Sequence, residues 1–301
     1  MRLSLTALIL SVVSAAVLAT SGSDAAAIHK RAAATASTSS PAPVHSGYND
    51  WNCKPSAAHP RPVILVHATL FTKESWAIFG PKIADQGYCV YSLTYGRYWK
   101  LLPMIGAIAP AVDNAKSVGA FTEKVLQATG ASQADFIGHS QGGVLPRYWV
   151  QYQGGKGKMH SMVGISAINH GTSWQGLAPL LEKLKGMVKA LTLNNDLVTK
   201  AAPALQDIMS TSQFVKDLNA HGDTLPDVFQ ANIVTKYDEI VSPYKSSFQS
   251  GEGVVNVVLQ DLCETSLVEH TFIITSKTVL RWILNQLDPS TASPANCNPQ
   301  F

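Results

Sequence analysis

Gly138-His139-Ser140-Gln141-Gly142-Gly143 follows directly on the apolar Phe136–Ile137 and opens a stretch of helical character. No other segment restricts the backbone as much. A serine spaced as G-x-S-x-G asks for a strand, a tight turn and a helix in that order. A β-carbon at Gly138 or Gly142 would collide where strand and helix approach closely. On such a turn the serine Oγ stands clear of the sheet, and the helix N-terminus favours negative charge beside it. A Gly-rich loop without chemistry is the competing reading, and the flanking strand and helix argue against it.

The surrounding sequence supplies the sheet. Val63–Val66, bounded by Pro62 and His67, is a short apolar run of the buried-strand type. Tyr88–Leu93, Ala134–Ile137, Met162–Ile168, Ala231–Thr235 and Val254–Leu259 are five more, with helical stretches such as Ala120–Ala128 and Thr278–Leu287 between them. Strands alternating with helices predict an α/β fold: a mainly parallel central sheet with helices on both faces. About sixty residues without strand character follow Ile168, too many for a plain connection, and we read 173–228 as a helical cap insertion. Within it Leu177, Leu180, Leu181, Leu184, Met187, Val188 and Leu191 recur at helical spacing opposite Glu182, Lys183, Lys185 and Lys189. That stripe suits either a lid over the site or a helix packed on the core. Leu101–Ala111, beyond the second strand, either lines a pocket or is buried.

A serine hydroxyl needs an imidazole to take its proton and a carboxylate to orient that imidazole. In this strand–turn–helix context the chain order is serine, acid, histidine. Asp238 lies nearest the carboxyl end of the Ile233–Thr235 strand, where catalytic loops emerge; Glu239, Asp227 and Asp261 are rivals. His270 is the only histidine after the final strand. Two amides are expected to form an oxyanion hole, those of Gln141 and of Thr69 in the His67-Ala68-Thr69-Leu70 loop, with the Thr69 hydroxyl as a possible third donor. No dinucleotide fingerprint or metal-spaced cluster is present, so no cofactor or metal is expected.

Composition bounds the setting. Charged residues are 14% of the chain, against about 25% in an average globular protein, and no basic run suggests a nucleic-acid partner. The formal charge of +3 falls to +1 without residues 1–31, leaving 20 basic against 19 acidic residues. Arg2 followed by the apolar run Leu3–Leu18 reads as a signal peptide over 1–19, not a stable membrane anchor. Residues 20–46 read as a leader rich in Ala, Ser, Thr and Pro, with a dibasic processing site at Lys30-Arg31; 47–301 would be the catalytic domain. A secreted, extracellular monomer is expected. Cys53, Cys89, Cys263 and Cys297 then imply two disulfides. Of three possible pairings, Cys53–Cys89 and Cys263–Cys297 close the shortest loops and are preferred.

Gly138-His139-Ser140-Gln141-Gly142-Gly143-Val144-Leu145-Pro146-Arg147-Tyr148 resembles the nucleophile segment of secreted class 2 lipases, the Streptomyces-type triacylglycerol lipases of the α/β-hydrolase fold. Asn169-His170-Gly171-Thr172, Lys236 to Tyr244, Leu259 to Cys263, Glu269-His270, Leu284 to Pro289 and Cys297 are similar to further blocks of that family. The likeness runs from about Asn52 to Cys297. It implies Ser140, Asp238 and His270 as the triad, and the same two disulfides. More distantly, Gly87-Tyr88-Cys89 and the Thr69 loop resemble a Candida-type lipase with a threonine in its oxyanion hole. The chain departs from the family at Ala68, where glycine is usual. Pro146, early in the helix after the turn, removes an amide there; the family shares it.

These readings predict a serine ester hydrolase, foremost a triacylglycerol lipase acting on hydrophobic esters at a lipid–water interface. A short-chain carboxylesterase or polyesterase is the alternative. A binding protein that kept the fold and lost the chemistry is a remote one, since all three triad residue types are present in order.

Overall fold

Short runs of β-branched and aromatic residues, each too brief for a helix, pair into one six-stranded sheet. The computed structural model describes residues 47–97, 105–173, 175, 176, 178 and 202–301. In chain order its regular elements are β1 (Val63–Val66), α1 (Phe79–Ala84), β2 (Val90–Ser92), α2 (Ala111–Thr129), β3 (Ala134–His139), α3 (Leu145–Tyr152) and β4 (Met159–Ile165). Then follow α4 (Ala204–Asp207), α5 (Gln213–Leu218), β5 (Phe229–Val234), β6 (Val255–Val258), α6 (Leu259–Leu262) and α7 (Lys277–Leu287). The strand order is β2-β1-β3-β4-β5-β6, and every pair is parallel.

Side chains alternate across the sheet with period two, and both faces are buried. Ile64 and Val66 of β1 and Phe136 of β3 face α2 and α3 in one core. Val63, Leu65 and Ile137 face Phe79 and Ile83 of α1 and Val279, Leu280 and Ile283 of α7 in the other. Burial on both faces explains why these strands read as unbroken apolar runs rather than alternating ones.

Most element bounds lie within two residues of the sequence reading, and two elements depart further. The run expected over Met162–Ile168 is a strand over Met159–Ile165, because Ser166 takes φ 43° and ends the extended backbone. Ala167 and Ile168 are buried but belong to the loop beyond. The helix seen as Ala120–Ala128 extends back to Ala111: apart from Val118, its buried face there is Ala111, Asn114, Ala115 and Gly119, too small or polar to raise an apolar signal. Of the expected cap insertion, α4 and α5 are described. The Leu177–Leu191 stripe, Leu101–Met104 and the leader through Lys30-Arg31 lie outside the described residues. Ile105, Ala107, Ile108 and Ala111 are core residues.

Arg147 of α3 is almost wholly buried, and its guanidinium donates to the Leu218 and Asp223 carbonyls and to Asn219 Oδ1. Burial lowers its pKa to about 10. It thereby fastens the end of α5 to the helix that follows Ser140. Both expected disulfides are formed, Cys53–Cys89 and Cys263–Cys297, with Cα atoms 5.7 and 4.7 Å apart. No described helix is long and apolar enough to cross a membrane.

Candidate active site

The chain runs from β1 outward to β2 and returns to β3 on the other side of β1, so strand order reverses between β1 and β3. Loops leaving the carboxyl ends of strands at such a point diverge and leave a crevice. Val66 pairs with Gly138, which brings the Thr69 loop and Ser140 out side by side.

Ser140 is buried and sits at φ 55°, in the left-handed region that non-glycine residues seldom occupy. The glycines around it explain how the turn closes. A β-carbon at Gly138 would lie 2.1 Å from the Gly142 carbonyl oxygen, and one at Gly142 would lie 2.2 Å from that of Val66. Both positions are therefore closed to any side chain. Pro146 falls in the first turn of α3, where its missing amide has no intrahelical acceptor to lose.

Asp238 and His270 arrive from the loops after β5 and β6. His270 Nδ1 lies 2.9 Å from Asp238 Oδ2, and both side chains are buried. The other Asp238 oxygen accepts the Ile240 and Val241 amides at 3.1 and 2.7 Å, so the carboxylate is held by its own loop. The rival acids are placed otherwise. Asp261 is exposed beside Lys236, Asp227 sits in the turn before β5, and Glu239 accepts the backbone N–H of His270 rather than the ring.

Thr69 is buried, and its Oγ1 has no partner among the described residues. Its loop is pinned to Gly106, whose carbonyl accepts the Leu70 amide and whose amide donates to Phe71. The left-handed residue here is Leu70, at φ 67°, and Ala68 has no positive φ. Alanine therefore fits where the family resemblance expected glycine. Gln141 is the second residue of the 3-10 turn Ser140–Gly143, and its buried side chain accepts from Asn114 Nδ2 at 3.2 Å.

Two further histidines line the site that the sequence did not single out as ring systems. His67 stacks on Tyr95 with centroids 4.2 Å apart, and burial lowers its pKa to about 4. His139 is fully buried 4.8 Å from the His270 ring, and burial, with the neighbouring His270, pushes its pKa well down. Burial thus favours the neutral form of both rings beside the His270–Asp238 pair. Their signal in the sequence is only adjacency to Ala68 and Ser140. Among the described residues, no group of three His, Cys, Asp or Glu is placed to hold a metal.

A parallel sheet in this strand order, with a serine turn, an imidazole and a carboxylate on its carboxyl-end loops, is the architecture of the α/β-hydrolase fold. The lipase (class 2) family matches this chain over residues 60–282, and the chain belongs to that family. Among solved structures it is similar to lipase B of Aspergillus fumigatus (19% identity, TM-score 0.58, 79% of this chain and 54% of that one). It is also similar to the mature form of the Bacillus licheniformis lipase BlEst2 (13%, TM-score 0.55, 77% and 94%). A third likeness is to a carboxylesterase structure from Nitrososphaera gargenis (13%, TM-score 0.51, 75% and 89%). The chain spans about half the length of the Aspergillus protein, and at these identities the three likenesses bear on the fold alone.

Proposed function

We propose that this protein hydrolyses esters of apolar acids, triacylglycerols foremost, with Ser140 as nucleophile, His270 as general base and acid, and Asp238 as the carboxylate that orients it. The buried His270–Asp238 bond, on loops converging with the left-handed Ser140, carries this reading. Ser140 Oγ attacks the ester carbonyl while its proton passes to His270 Nε2, and Asp238 stabilises the resulting imidazolium through Nδ1–H. The oxyanion accepts from the Gln141 and Thr69 amides and from Thr69 Oγ1. The intermediate collapses, the alcohol leaves with the proton from Nε2, and an acyl-serine remains. Water, deprotonated by His270, then releases the acid and restores the serine.

Exposed apolar side chains close in sequence to the site residues support an apolar substrate met at a lipid–water surface. Tyr237, Leu267 and Phe272, neighbours in sequence of Asp238 and His270, are large apolar side chains left 48%, 72% and 50% exposed. We also read the enzyme as exported and monomeric, residues 1–19 serving as its signal peptide and 20–46 as its leader. Two disulfides accord with an oxidising compartment.

The test compares emulsified long-chain triacylglycerol with dissolved p-nitrophenyl butyrate, wild type beside Ser140→Ala. Turnover on the emulsion, lost in the mutant, is expected. Hydrolysis of the soluble ester alone would make the enzyme a carboxylesterase, and wild-type turnover by Ser140→Ala would remove the serine mechanism.

A further inference from the structure

His270 is gripped at more than its ring. Its backbone N–H donates to Glu239 Oε2 at 3.2 Å, and its carbonyl lies 2.9 Å from His139 Nε2. A carbonyl only accepts, so His139 carries its proton on Nε2 and donates it there. His139 Nδ1 has no partner among the described residues, so that donation is the ring's one hydrogen bond there. Phe71 lies beside the His139 ring, with centroids 5.9 Å apart.

The two grips share a pattern. His139 immediately precedes Ser140, and Glu239 immediately follows Asp238. The neighbour of each of two site residues thus holds the backbone of the third.

We propose that Glu239 and His139 form a backbone clamp on His270 and are positioning residues for the general base. The proposal rests on the triad reading above. Its physical basis is that the Asp238 bond fixes how the imidazole turns, whereas nothing in that bond fixes where the His270 Cα stands. From Cys263 to Phe272 the chain has no regular element to hold it. A displacement of about 1 Å at a reacting group can cost roughly a hundredfold in rate. Bonds to both backbone polar groups of His270 remove that freedom and leave the ring itself free to exchange its proton.

The experiment is steady-state kinetics of the full-length protein on p-nitrophenyl butyrate, with melting curves as a folding check. His139→Gln keeps an N–H donor at similar reach, whereas His139→Phe keeps the ring volume and loses the donor. We expect kcat of His139→Phe to fall about tenfold or more at unchanged KM, and His139→Gln to recover most of it. A packing role predicts the reverse order, and that order would overturn the clamp. Glu239 is exposed, so its variants test the second grip even if the buried ones fail to fold. Glu239→Gln, which keeps an acceptor oxygen, should stay near wild type, and Glu239→Ala should lose kcat alone; an unimpaired Glu239→Ala would sink the proposal. His270→Ala run alongside separates the two levels: if it keeps wild-type kcat, the triad reading itself is wrong.

Discussion

A hydroxyl becomes a useful nucleophile only through its neighbours, and at Ser140 those neighbours are single atoms. Asp238 serves because one carboxylate oxygen is tied to the Ile240 and Val241 amides while the other faces His270 Nδ1. Asp238→Asn keeps the shape, but its amide can favour the wrong imidazole tautomer. We expect kcat to fall by roughly 10⁴ with the melting temperature little changed. A loss below about tenfold on a soluble ester would remove Asp238 from the triad. The glycines make an equally local prediction. Gly142→Ala drives a β-carbon to 2.2 Å from the Val66 carbonyl and should cost about 3 kcal/mol as well as activity. Gly154→Ala is the control: φ is 86° but nothing lies within 4 Å of the added carbon, so strain of about 1 kcal/mol is all it should show in denaturant titrations.

The loops that carry Asp238 and His270 are long, and a disulfide and hydrogen bonds replace regular structure in holding them. Cys263–Cys297 closes a span of 34 residues that contains His270 and α7, and Cys53–Cys89 closes 36 residues containing β1 and α1. Chain entropy alone makes each worth roughly 4 kcal/mol. Replacing both cysteines of either pair by serine should lower the calorimetric melting temperature. Only the Cys263/Cys297 pair should also make activity fade well below that temperature, since it alone encloses the His270 loop. Equal behaviour of the two double variants would show that the loop draws its order from elsewhere, with the Glu239 and His139 bonds the first place to look.

Taken whole, the molecule keeps His67 and His139 neutral in its interior, and this gives stability a definite pH dependence. The pKa of His67 is about 4 in the fold against an ordinary 6.5, and that of His139 is likewise lowered, burial being the main cause for both. The unfolded chain therefore binds more protons than the folded one below about pH 6.5. Stability is complete above that value and falls as pH drops toward 4, by about 1.4 kcal/mol per pH unit for each histidine. Urea titrations between pH 7 and 5, above the range of ordinary carboxylates, should show a slope approaching two protons. A slope near one proton would mean that one ring is charged in the fold, and a flat profile that both are.

Much of this was legible in the sequence because it depends on near neighbours. The Gly138–Gly142 contact spans four residues, so the spacing itself declares a turn without room for side chains. Apolar runs of four to seven residues declare strands buried on both faces, and chain order nominates Ser140, Asp238 and His270. The sequence alone thus determined an α/β chain with a serine elbow and four cysteines to pair. Only the tertiary structure decided which of two adjacent carboxylates, Asp238 or Glu239, meets the imidazole ring and which meets its backbone. It also ended β4 at Ile165, left Thr69 Oγ1 without a partner among the described residues, and brought His139 onto a carbonyl 131 residues away. Those outcomes depend on sheet register and on the direction in which each strand releases its loop, and residue periodicity carries no record of either.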